Sequence, residues 1–239
     1  EVPCLSFLCN TVETNTQAIF ANDPRNMAMK AESYLRETGI ADESCWGPEF
    51  EFYIFDRVSF ENGVNYASYR LDSSEAVNNS TEMENSHPIP LHGGYHAIAP
   101  LDRLYNLRTT ISMHLESMGV PIKYHHHEVG SAGQCEIETP MMNIMDAGDA
   151  SMLVMYTTRL VASSMGKSAT FMPKPLYNEA GNGMHFHQNL FKDGKNLFYD
   201  PSGYGNLSKT ALHYIGGLLH HGAALLALTN PSTNSYRRL

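Results

Sequence analysis

The chain has 239 residues, 42% of them hydrophobic and 17% charged, a balance that excludes a disordered polymer and allows one large domain or two small ones. A formal charge of -9 argues against a general nucleic-acid binder, which needs a basic footprint, and no apolar run approaches the length of a membrane span. Four cysteines (Cys4, Cys9, Cys45, Cys135) show neither CxxC nor framework spacing and read as free thiols of a reducing, cytoplasmic compartment.

In chain order, Glu1 to Cys9 reads as a buried strand with no signal peptide in it. Asp23-Pro24 opens a helix that closes at Gly39, because Asp is an N-cap acceptor and Pro suits the first helical position. Gly47 to Phe55 alternates as a strand, and residues 57–98 are polar and irregular. Leu101 to Met118 has helical apolar spacing, ended by Gly119 and Pro121. Val120–Val129 and Cys135–Thr139 form a hairpin through GSAGQ; centred near Ala132, it sets Glu128 across from Glu136. Asp146 caps a helix to about Met165. Gly183–Phe191 and Asn196–Tyr199 pair through Asp193-Gly194, a type I′ signal, and Ser208 caps a last helix running to Asn230-Pro231. Nothing marks a linker. Helices interleaved with hairpins predict an α+β fold, an antiparallel or mixed sheet backed by helices.

The chemistry lies in GPEFEFYIFD, HHHEVGSAGQCEIET and GNGMHFHQNLF. A strand alternates faces with period two, so Glu49 and Glu51 share a face while Phe50, Phe52 and Ile54 take the apolar one. The same rule groups His126 with Glu128 and His185 with His187, and puts Lys123 on the other face. Crowded acids repel one another unless protons or cations neutralise them. A single ExE is usually a solvated sheet face, but that reading leaves the second pair of acids and the HxH strand unexplained. Carboxylates with one or two imidazoles suit Mg²⁺ or Mn²⁺ better than structural zinc. His87, His92 and His96 lack the cysteine or helix of a zinc site, and MGKSA fails as a P-loop because Val161 stands where glycine is needed.

Together, GPEFEFYIFD, HHHEVGSAGQCEIET, GKSATFMPKP, GNGMHFHQ and NPSTNSYRRL resemble the signature segments of the type I glutamine synthetase family, in the family's order across essentially the whole chain. The resemblance implies the central part of the catalytic domain, with a curved antiparallel sheet, in a chain lacking the N-terminal β-grasp domain and the C-terminal part of the catalytic domain. It implies ATP-dependent joining of ammonia to the γ-carboxylate of glutamate through γ-glutamyl phosphate, with two Mg²⁺ or Mn²⁺ ions, in a homo-oligomeric dodecamer. By resemblance, Glu51, Glu128 and Glu136 hold one metal, and Glu49 and His185 hold the second. His126, His187 and Asn189 line the nucleotide, Gly181 lies in the glutamate loop, and Arg238 holds the substrate carboxylate as the catalytic arginine.

Two positions depart from the pattern. Ala180 stands where many members have asparagine, and Asn189 where serine is usual. The first keeps open a γ-glutamyl–polyamine or other amine ligase; a non-catalytic structural relative is the third reading, weakened by the retained acids. A chain that begins at Glu1 and stops inside NPSTNSYRRL reads as a fragment, and the fragment alone is expected to be inactive.

Overall fold

The computed structural model describes residues 5–77, 79 and 87–239. It begins differently from the expected strand: residues 5–9 are exposed and irregular, and Glu1–Cys4 lie outside the described residues. Leu5 and Phe7 have no sheet partner among the described residues to cover them. Helix α1 (Pro24–Glu37) starts as its sequence requires, with the Asp23 carboxylate accepting the Asn26 N–H at 3.0 Å. Gly39 closes it at φ 67°, a backbone value that glycine takes without strain.

Strand β1 (Glu43–Phe55) is the element on which the site depends. Phe50, Phe52 and Ile54 are at most 1% exposed, so the alternation read from the sequence holds. A hairpin follows, β2 (Arg57–Asn62) and β3 (Ala67–Asp72), where irregular chain was expected. Its signals were the alternating Val58 and Phe60 and the Gly63 that opens its turn, where the Gly63 N–H bonds the Tyr66 carbonyl, masked by its polar composition. Helix α2 (Tyr105–Ser117) begins four residues later than predicted, because Asp102 is engaged elsewhere. Its carboxylate accepts the Leu104 N–H at 3.0 Å and grips the Arg108 guanidinium with two bonds, of 2.6 and 3.1 Å.

Strands β4 (Tyr124–His127) and β5 (Gln134–Glu138) form the predicted hairpin in a corrected register. Glu136 faces His126, not Glu128, and the Glu128 N–H bonds the Gln134 carbonyl at 2.9 Å. The slip is two residues, so every side chain keeps its face. β6 (Met142–Asn143) leads into α3 (Ile144–Ser164), whose start is capped by the Asn143 amide oxygen on the Asp146 N–H at 2.9 Å; Asp146 sits in the first turn and is not the cap. β7 (Ser168–Thr170), β8 (Met184–Lys192) and β9 (Lys195–Asn196) complete the sheet, and Asp193 and Gly194 turn at φ 49° and 71° as a type I′ pair should. The last helix is two, α4 (Lys209–His220) and α5 (Gly222–Thr229), broken at His221. Among the described residues, no single helix is long and apolar enough to cross a membrane.

The sheet runs β4-β5-β1-β8-β9, with β6 and β7 also on β1, and β1 is antiparallel to β5, β6 and β7. The fold is α+β, as expected. The absence of a linker signal has a physical reason: two compact units are woven from alternating stretches, so no single boundary exists. One comprises Glu1–Gly47, Met141–Met152 and His187–His220; the other comprises Pro48–Pro140, Leu153–Phe186 and His221–Leu239. Cys9, Cys45 and Cys135 are free thiols, and Cys4 lies outside the described residues.

The Asp102–Arg108 pair carries a stability prediction, since both side chains are at most 3% exposed. Asp102→Ala strands a buried guanidinium and is expected to cost about 3–5 kcal/mol. Denaturant melts of the variant beside the parent chain measure it, and a change under about 1 kcal/mol would mean that water reaches Arg108.

Candidate metal and substrate site

The acids of the second unit assemble through strand register. β1 and β5 place Glu51 opposite Glu136 and Glu49 opposite Glu138, with the core residues Phe50 and Ile137 paired between them. Because every second residue points the same way, burying Phe50 and Ile137 obliges the glutamates to share the other face. Glu138 belongs to this row and went unrecognised, although its spacing from Glu136 in CEIET was the available signal. Lys123 corrects another expectation. Its ammonium reaches the acid side and meets Glu138 at 3.0 Å, because it precedes β4 and its long stem is not bound by the strand's alternation.

Ligand atoms of His126, Glu128 and Glu136 lie within 4.8 Å of one another. The His126 Nδ1 faces its neighbour's carbonyl oxygen at 3.0 Å, which orients the ring so that Nε2 stands 3.3 Å from a Glu136 oxygen. Glu136 is pushed up to about 8 by burial first, then by Glu128, Glu51 and Glu49. The Glu51 carboxyl is likewise raised by burial, against the pull of the Gly183 N–H and His185. That N–H donates to Glu51 at 2.6 Å.

Glu49 and Glu51 face His185, whose Nδ1 is 3.0 Å from the first and 3.6 Å from the second. On the other side of the ring, Nε2 is 3.3 Å from an Arg238 guanidinium nitrogen. Gly181 and Gly183 make this close packing possible. A Cβ on Gly181 would lie 2.5 Å from the Pro173 carbonyl oxygen, and one on Gly183 would lie 2.4 Å from Arg238 and 2.8 Å from His185. Gln134 stitches the loop down, donating to the Gly181 carbonyl at 3.0 Å and the Asn182 amide oxygen at 3.1 Å.

Glu49, Glu51, Glu128, Glu136, His185, His126, Gly181 and Arg238 thus all lie in one unit. His187 and Asn189 lie farther along β8 in the other: His187 is exposed, and the Asn189 amide oxygen accepts the Leu190 N–H at 2.9 Å. The remaining histidines of the HHH run turn away from the acids. His127 is fully buried against Glu75 at 3.0 Å, and His125 lies 3.4 Å from Arg108. The donor set fits a hard divalent cation: carboxylate oxygens dominate, an imidazole stands among them, and the raised Glu136 carboxyl holds a proton that a cation would displace.

Comparison with known proteins identifies the family. Residues 21–239 match the family described as "Glutamine synthetase, catalytic domain". The chain is 48% identical over 228 residues to a glutamine synthetase of Frankia alni, covering 94% of this chain and 48% of that protein. It is 46% identical over 243 residues to one of Pasteurella multocida, covering 100% and 51%. A Plasmodium falciparum glutamine synthetase solved by cryo-electron microscopy superposes with a TM-score of 0.87 at 29% identity, over 95% of this chain and 45% of that one. The chain spans about half the length of the curated relatives it matches.

The raised Glu136 gives a pH prediction. A carboxyl held above its ordinary 4.5 binds its proton more tightly in the folded chain, so its stabilising contribution is full below that value and is lost as pH rises through about 8. The metal-free melting temperature is expected to fall between about pH 4.5 and 8, and added Mn²⁺ to restore it more at the upper end. A melt in chelator that is flat across this range would contradict the buried, mutually repelling acids.

Proposed function

The chain belongs to the glutamine synthetase catalytic-domain family, and from that premise we propose that the protein containing it makes glutamine from glutamate, ammonia and ATP. The observation that supports this most is the meeting of two acid groups, His126/Glu128/Glu136 and Glu49/Glu51/His185, with an arginine, Arg238, at the imidazole of the second. Glu51, Glu128 and Glu136 would hold one Mg²⁺ or Mn²⁺, with His126 beside it, and Glu49 and His185 would contribute to a second. When bound, the cations supply positive charge against the phosphoryl oxygens, the main requirement of a phosphoryl transfer that is largely positioning and electrostatics.

The chain's own residues have distinct tasks in this reading. Arg238 offers a forked donor to the substrate carboxylate, and the Gly181–Gly183 backbone sets its depth. The γ-carboxylate attacks the γ-phosphorus of ATP, releasing ADP; ammonia then attacks the acyl carbon, and phosphate leaves. His187 and Asn189 are assigned to the nucleotide. The whole protein is proposed to be a cytoplasmic homo-oligomer, a dodecamer as the family resemblance implies, with no nucleic-acid or membrane partner. Residues 1–239 are read as one partial catalytic domain, and by themselves they are expected to bind divalent cation without making glutamine.

The amine ligase reading keeps one specific support. Ala180 brings no side-chain amide to the loop; its carbonyl oxygen is taken by the Tyr53 hydroxyl at 2.7 Å. Product analysis of the full-length protein with ammonia and with putrescine separates the two, and the expected outcome is turnover with ammonia alone. In that protein, Glu128→Ala is expected to lower turnover by at least about a hundredfold at saturating metal, the scale of losing one electrostatic contact to the transition state. Arg25→Ala, which removes a surface pair with Asp149, should stay within about threefold. Equal losses in the two variants would remove Glu128 from the metal site.

A further inference from the structure

His92 fits neither a zinc site nor the assigned chemistry, yet it is held in a costly conformation, at φ 58°. What holds it is Glu179, a carboxylate only 3% exposed. One oxygen of Glu179 accepts the His92 N–H at 3.0 Å and the His92 ring Nδ1 at 2.8 Å. The other accepts the Ser131 hydroxyl at 2.7 Å and the Ser131 N–H at 3.3 Å. Both oxygens are therefore filled by donors from two other loops, the 92–96 segment and the β4–β5 turn.

Glu179 also stands at the head of the glutamate loop. Its carbonyl oxygen takes the Lys174 ammonium, the next carbonyl takes Tyr53, Gly181 bonds Gln134, and the Gly183 N–H binds Glu51. The loop thus hangs from four points between the Glu179 carboxylate and the Glu51 carboxylate, with Arg238 packed on its glycines. Removing the carboxylate leaves the buried Ser131 N–H and hydroxyl without acceptors and frees the more exposed His92, and the loop loses its anchor at one end.

We propose that Glu179, through His92 and Ser131, is a positioning latch that sets the glutamate loop and thereby the affinity for the amino-acid substrate, while leaving the nucleotide untouched. This rests on the glutamine-forming reading above and goes beyond it, because Glu179 touches neither metal ligand nor Arg238 in any described contact. It gives the family loop a specific support in this chain, where Ala180 contributes only its backbone.

The test uses Glu179→Ala in the full-length protein, with two readouts. Hydrogen exchange of residues 179–183 is expected to accelerate, and KM for glutamate to rise about tenfold, the loss of one charge-assisted buried bond, with kcat and KM for ATP within about twofold. Ser131→Ala and His92→Gly each remove one side-chain bond to Glu179 and keep the backbone one, and each should raise KM for glutamate by about threefold; glycine accepts the positive φ, so His92→Gly removes the ring without adding backbone strain. If Glu179→Ala does not fold, these two variants decide the matter. A folded variant with unchanged exchange at 179–183, or with KM for ATP raised as much as KM for glutamate, overturns the latch. Absence of glutamine synthesis in the unaltered protein would instead overturn the functional reading, and the exchange data would still judge the latch.

Discussion

Repulsion among carboxylates on one face of β1 and β5 is the constraint around which this molecule is organised. The two strands bury Phe50, Phe52, Ile54, Cys135 and Ile137 on one face, each at most 1% exposed. The period of two then leaves no choice for Glu49, Glu51, Glu136 and Glu138, which must stand together on the other. Moving any of them away would require a register slip that exposes the core. The folded chain tolerates the crowding with what lies nearby: Lys123 on Glu138, a backbone N–H on Glu51, His185 on Glu49, and a retained proton on Glu136. The hydrophobic core and the proposed cation site are two faces of one decision about strand pairing.

The loops around this sheet are held by a different device. Asp102, Glu75 and Glu179 are buried carboxylates that gather donors: Asp102 takes the nearby Leu104 and Arg108, whereas Glu75 takes Arg103 and His127 and Glu179 takes His92 and Ser131, all distant in sequence. A buried anion left unsatisfied costs several kcal/mol, so each such carboxylate selects the loop arrangement that fills both its oxygens. Strand pairing fixes the proposed metal ligands of β1 and β5, whereas one of these hubs, Glu179, anchors the loop proposed to take the substrate. The division suits the chemistry, since cation ligands need fixed spacing and a substrate loop has to admit its ligand.

Glycine marks where the two systems touch. At Gly181 and Gly183 a Cβ would collide with Pro173, Arg238 or His185. Their role is close approach, not turn geometry: the absent side chains let the loop backbone come within bonding distance of Glu51 while Arg238 lies across it.

How much of this was legible in the sequence follows from the range of the interactions involved. Period-two alternation in GPEFEFYIFD, the Asp23-Pro24 helix start and the Asp193-Gly194 turn are local properties, set by sterics and backbone geometry within a few residues, and the structure keeps all three. The pairing of acids onto shared faces was legible for the same reason, and the two-residue register error between Glu128 and Glu136 did not disturb it, because parity survives an even slip. Other features could not be read locally. The start of α2 was displaced by Asp102 reaching Arg108, the last helix breaks at His221, and the chain weaves two units from interleaved stretches. The partners of His92, His127 and Lys123 lie between 15 and 87 residues away in sequence. Such contacts are decided by which buried donors and acceptors must satisfy one another once the chain has closed, and only the tertiary structure brings those groups together.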